Sequence, residues 1–120
     1  MNDQFLPDEK IYRAVYPPEL VEMFWRKDGS VSSAAFADPK GLSVDRGNYR
    51  RDIDVKKDMQ TRFTGQIIRL YVKNCTDIGA VLFYLPSKKN SFHSEIHGSP
   101  NTKLLSKQQR YYLSKKAVIL

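Results

Sequence analysis

Apolar and polar positions alternate along Ile11 to Val15 (IYRAV), a run of strand-forming residues, and predict a short strand. Pro17-Pro18-Glu19 then suits a helix start, because proline fits the first turn and Glu19 and Glu22 favour its positive end. Leu20, Val21, Phe24 and Trp25 fall on one face at helical spacing, with Trp25 as a core anchor and Asp28-Gly29 as the stop. Ser30 to Phe36 and Leu42 to Asp45 read as extended segments flanking an Asp38-Pro39-Lys40-Gly41 turn. Asn48 to Phe63 is ambiguous at first, but Val55, Met59 and Phe63 at i, i+4 and i+8 favour a helix in its second half. Ile67 to Val72 and Ile78 to Leu85 are the strongest strands. Lys73 to Asp77 between them suits a hairpin loop, and Pro86 ends the second strand.

Asn101 is placed to cap a C-terminal helix running to about Ala117. At roughly 100° per residue, Leu104, Leu105, Tyr111, Tyr112, Val118 and Ile119 gather on one side of it. Lys103, Lys107 and Arg110 cluster elsewhere, giving an amphipathic helix with a basic stripe. The assembled expectation is an α+β fold: a small antiparallel sheet packed by two or three helices, in one domain over residues 1–120.

Charge changes this picture more than composition does. Hydrophobic residues at 41% and charged residues at 28% are globular values. The net charge of +7 is uneven: residues 1–60 carry ten Lys/Arg against eleven Asp/Glu, while residues 61–120 carry ten against only Asp77 and Glu95. A half-chain excess of that size attracts phosphates or an acidic protein surface. Cys75 is the only cysteine, so no internal disulfide is expected. Asp3, Asp8 and Glu9 near the start read against a signal peptide, and the longest apolar run falls far short of the ~20 residues of a membrane span. The cytoplasm is the expected compartment, with no membrane association.

The chemistry candidate is His93-Ser94-Glu95-Ile96-His97, bounded by Asn90 and by Gly98-Ser99-Pro100. On a strand, His93, Glu95 and His97 share one face, and Phe92, Ser94 and Ile96 take the other. The two histidines would lie roughly 13 Å apart, too far to share a metal without a ligand from elsewhere. Neither metal nor cofactor is expected. The spacing is not the H-E-x-x-H of zinc proteases, and the cysteine pair that completes the H-x-E signature of zinc deaminases is missing. Gly-rich phosphate loops and nucleophile elbows are missing too. What remains is acid–base work by paired titratable groups on one face. Asp45 and the acidic-basic run Arg51 to Asp54 are weaker candidates.

Two resemblances bear on these residues. The order SSAAF (Ser32 to Phe36), LSVDR (Leu42 to Arg46) and NSFHSEIHG (Asn90 to Gly98) ahead of a basic helix resembles a loosely defined group of small uncharacterised bacterial proteins. That likeness spans about 110 residues, implies no activity, and matches His93 to the group's histidine, with His97 secondary. Ser91 and Phe92 stand where the group is expected to have a proline and small residues. Separately, Arg13, Ser32-Ser33 and Glu95 follow the order of an arginine, a serine strand and a late glutamate in ADP-ribosyltransferases. That likeness implies an arginine for a pyrophosphate and a carboxylate for a ribose hydroxyl.

Three functional readings follow. In the first, the basic C-terminal half contacts RNA or DNA through Lys88, Lys89, Lys103, Lys107 and Arg110, with Tyr111 or Tyr112 stacking on bases. In the second, the chain is a protein–protein subunit docked by its basic helix on an acidic partner. In the third, it is a small enzyme built on His93 and Glu95 with Arg13 or Asp45. A cleft joining those four residues is the structural sign of the third.

Overall fold

The first strand forms where its alternation places it. In the computed structural model, which describes residues 1–120, β1 spans Lys10–Val15, with Ile11 and Val15 on one face and Tyr12 on the other. There follow β2 (Leu42–Arg46), α1 (Asp52–Gln60), β3 (Gln66–Tyr71), α2 (Val72–Thr76), β4 (Val81–Tyr84), β5 (His93–His97), α3 (Lys107–Lys116) and β6 (Val118–Ile119). The six strands form one antiparallel sheet in the order β4-β5-β2-β1-β3-β6. The α+β class and the antiparallel sheet with three helices are therefore as the pattern predicts. No helix is long and apolar enough to cross a membrane.

The two sheet faces differ in what covers them. Ile11, Val15, Leu42, Val44, Ile68, Leu70 and Ile96 form the main core, closed by Phe36, Val72, Cys75, Leu105 and Leu113. On the opposite face α1 lays Val55 and Met59 against Tyr12 and Ile67. Register puts Ser43, Asp45, His93, Glu95 and His97 on this second face, beside that smaller core.

Val118 and Ile119, expected on the apolar side of the C-terminal helix, instead pair with Arg69 and Ile68 as β6, and four further elements differ from their predicted form, each for a local reason. Pro17 to Trp25 is no α-helix: Leu20 and Val21 bond back to the Pro17 carbonyl, Val21 turns extended, and only a 3₁₀ turn forms at Glu22–Phe24. Trp25 instead bridges to Val31 and donates its indole N–H to the Tyr16 carbonyl, so Leu20 is left exposed. Ser30 to Phe36 is not a strand, since Ser33–Phe36 forms a 3₁₀ turn that buries Ala35 and Phe36. The β3–β4 hairpin is absent. Asn74 caps α2 by accepting the Tyr71 N–H at 2.8 Å, and Val72 and Cys75 anchor that helix in the core. The chain then runs on to β4 at the far edge of the sheet. Finally, Ser106 and not Asn101 caps α3: its hydroxyl accepts the Gln109 N–H, and the Gln109 side chain accepts the Ser106 N–H at 2.8 Å. This S-x-x-Q box fixes the start five residues later than Asn101 would.

A buried ion pair ties the N-terminal segment to β2. The Arg46 guanidinium donates to both Glu9 carboxylate oxygens at 2.9 and 2.7 Å, and to the Asn2 and Gln4 carbonyls. Phe5 and Tyr84 lie against it at 4.2 and 4.9 Å. The hydrogen bonds to Glu9 raise the Arg46 pKa, so the cation is held firmly. Both side chains are almost fully buried, and removing one leaves an uncompensated charge. Glu9→Ala is expected to lower unfolding free energy in urea by about 3–5 kcal/mol. A loss below about 1 kcal/mol would contradict this account.

At the start of α1, Asp52 accepts hydrogen bonds from the Tyr12 hydroxyl, Lys10 and Arg69. Burial alone would push its carboxyl upward, but those bonds and the Arg69 charge outweigh it and hold the pKa below the ordinary value. A depressed carboxylate stabilises the fold above its unfolded pKa of about 4, and that contribution is lost as pH falls through the folded value. Asp52→Asn is therefore expected to cost about 1–2 kcal/mol at neutral pH and progressively less below about pH 4. Denaturation curves of both proteins across that range check it; a pH-independent difference would refute it.

Candidate functional site

The site begins where two strands part. β1 and β2 pair only at Ile11–Arg46 and Tyr12–Asp45, although both strands continue beyond. The Arg13 side chain occupies the opening, donating from Nη1 to the Ser43 carbonyl at 2.8 Å and from Nε to the Ala35 carbonyl at 3.0 Å. Burial lowers its pKa, with Asp38 acting in the opposite sense. Nη2 makes no protein hydrogen bond. A cavity of about 200 Å³ sits at this split, lined by Arg13, Ala14, Ser43 and Asp45 with Met59, Phe63 and His93.

Asp45 is the clamp of the cavity wall. It is 2% exposed, and its two oxygens have separate partners: Asn90 Nδ2 on Oδ1 and Arg62 Nη2 on Oδ2, each at 2.8 Å. Arg62 follows α1 and also bonds Asp58, while Asn90 lies in the β4–β5 connection. One carboxylate thus ties the far end of α1 and the β4–β5 loop to the strand between them. Its oxygens are occupied, so its part is to position.

β5 supplies the titratable row. Ser94 and Ile96 are buried in the core face, and His93, Glu95 and His97 project from the other. Glu95 stands across β2 from Ser43, and His93 across from Asp45. The His97 ring packs on Phe83 at 4.5 Å between centroids, and its Nε2 lies 2.8 Å from Glu95 Oε1. Glu95 Oε2 is left facing His93 Nε2 at 3.9 Å. His93 is the member of the row that lines the cavity. No cluster of three His, Cys, Asp or Glu side chains is arranged to hold a metal ion.

Gly41 makes the Glu95–His97 contact possible. Its φ is +99°, and a Cβ there would lie 2.5 Å from Glu95 Oε1 and 2.8 Å from His97 Nε2. Both facts call for glycine at the end of the predicted turn.

The structure sorts the sequence candidates into three places. Arg13, Asp45 and His93 meet at the cavity, and Glu95 is joined to it through His93. Ser32 bonds the Met23 carbonyl and Ser33 lies against α3, so the serines of the Arg–Ser–Glu order stand apart from the cavity. The five proposed phosphate contacts form no single stripe. Lys88 and Lys89 sit on the loop closing one end of the β4–β5 pair, whereas α3 reaches the other end, where Gln109 bonds the Gly98 and Ile78 carbonyls. Lys103 precedes α3, and Arg110 is half-buried on its inner side beside Leu113 and Ser114. Tyr111 is exposed and Tyr112 half-buried. Burial pushes the Cys75 thiol up to about 12, which leaves it protonated and unreactive at neutral pH.

Ser43, Arg62, Asn90 and Gly41 are not among the sequence candidates. Gly41 has a legible signal in its turn, and Asn90 marks only the boundary of the His93 segment. Arg62 and Asp45 are 17 residues apart with no pattern linking them. No family model, curated protein or solved structure matches the chain.

Gly41→Ala is expected to part Glu95 from His97 without unfolding the core, because the obstructing atoms are side-chain ends. In NMR spectra the His97 ring resonances should shift markedly while those of Leu113 and Val55 stay in place. Unmoved His97 resonances would show that the contact does not rest on this glycine.

Proposed function

We propose that the chain is a small acid–base enzyme acting on a small anionic substrate at the split between β1 and β2. One observation carries this reading: His93, backed by Glu95, lines a cavity whose wall also holds Arg13 and the clamped Asp45. An imidazole at the cavity wall is placed to take a proton from a substrate and return it, while the carboxylate behind it balances the ring's positive charge. His97 holds Glu95 by one oxygen and so keeps the other toward His93. Arg13 Nη2 supplies an unbonded donor for an anionic group, and Met59, Phe63 and Ala14 supply an apolar floor. The substrate this combination favours is compact, carries a carboxylate or phosphate, and has an apolar or planar part.

A library of small anions screened by NMR and by product analysis gives the first test. Binding should shift the His93, Ala14 and Ser43 signals together. For a substrate found in this way, Glu95→Gln and His93→Ala should lower kcat/KM by about 10²–10⁴-fold. Their melting temperatures should stay within about 3 °C of the parent. Full activity in both variants would sink the reading.

A further inference from the structure

The outer side of α3 carries a second arrangement, on the sheet face opposite His93. Lys107, Tyr111 and Lys115 follow one another at i, i+4 and i+8, which aligns them in a row about 12 Å long. Leu113 and Ser114 hold the inner side of the helix in place, so the row looks outward. Tyr111 is 55% exposed, and the Lys115 ammonium lies 5.4 Å from the centre of its ring and the Arg26 guanidinium 5.9 Å. Arg26 is itself fixed by a bond to Ser114. Beside the row runs an open depression of about 490 Å³, lined by Ser33, Lys107, Gln108, Tyr111, Tyr112 and Lys115 and by no carboxylate. Asp28 is an acidic group near Lys115, and its carboxylate is engaged by the Ser30 hydroxyl and N–H; Asp77, after α2, is paired with Lys73.

An exposed aromatic ring between two cations matches a single nucleic-acid strand in both of its parts. The ring offers a stacking plane for a base, and the lysines to either side meet the flanking phosphates. A duplex hides its base faces and an acidic protein surface has none, so neither uses Tyr111. We propose that α3 is a platform for single-stranded RNA or DNA, with Tyr111 stacking on a base and Lys107 and Lys115 contacting phosphates. The strand is read by stacking and charge, and no base-edge readout is involved.

The test is fluorescence anisotropy with a labelled oligothymidine of about 15 nucleotides, across a range of salt. The parent protein should bind this strand more tightly than a duplex of equal length. Tyr111→Ala should weaken binding roughly tenfold, and Tyr111→Trp should restore it. Lys107→Ala and Lys115→Ala should each flatten the slope of log K against log salt by about 0.7. Lys88→Ala/Lys89→Ala, on the distant loop, should leave Tyr111 dependence intact. Unchanged affinity of Tyr111→Ala would overturn the proposal, as would equal binding to duplex or equal competition by polyglutamate. Because α3 and His93 are on opposite sides of the sheet, loss of this binding leaves the cavity's ligand response intact, and the two readings fail separately.

Discussion

The parting of β1 from β2 is the constraint on which the second face depends. An antiparallel pair that kept its ladder through Ala14 and Ser43 would close the cavity with backbone hydrogen bonds. Here the ladder stops at Tyr12–Asp45, and the Arg13 guanidinium takes the Ser43 carbonyl that a strand neighbour would have taken. A polar group left unpaired at such a depth costs free energy, so an interior split in a sheet needs a long donor to hold it open. Arginine suits this task because its fork can bond two carbonyls from different segments and still present a third nitrogen. Arg13 joins β2 to the 3₁₀ turn that carries Ala35 and Phe36, so the opening is braced by the main core.

The charges divide by role in a way that the net value hides. Arg46 and Glu9 neutralise each other in the interior, and Asp45 binds Arg62 and Asn90 at the cavity wall. These groups hold segments together. The excess positive charge of the second half lies elsewhere, split between the β4–β5 loop and α3. On α3 it meets the exposed Tyr111 ring, and on β5 the two histidines share a strand face with Glu95. The two candidate surfaces therefore draw on different residues and require different chemistry.

Much of this was legible in the sequence wherever one face of a segment is buried. Alternation in IYRAV, LSVD and HSEIH placed β1, β2 and β5, because each strand puts one set of residues in the core. The α+β class followed from them. Pro17 to Trp25 misled because helical spacing of apolar residues says nothing about whether a surface waits to receive them, and Leu20 and Met23 face solvent. The short α2 is hidden between two strand patterns: Val72 continues the alternation of Ile68 and Leu70, and one turn that brings Val72 and Cys75 into the same core at i, i+3, capped by Asn74, is too short to show as a helical pattern. Ser106 and Gln109 were readable as a capping box, which outranks a lone Asn101. Within the site, the shared face of His93 and Glu95 followed from strand parity. The meeting of His93 with Arg13 and Asp45 followed from strand order, which no local pattern encodes.

Native-state hydrogen exchange at the Ala14 and Ser43 amides tests the split most directly. Strand parity turns both N–H groups toward each other across the opening, beyond the last ladder pair. Their neighbours Tyr12 and Val44 hold ladder bonds. The account predicts that Ala14 and Ser43 exchange through local access, far faster than Tyr12 and Val44, and that a bound anion slows them. Protection of Ala14 and Ser43 equal to that of Tyr12 and Val44 would mean that the strands stay paired, and the cavity account would then be contradicted.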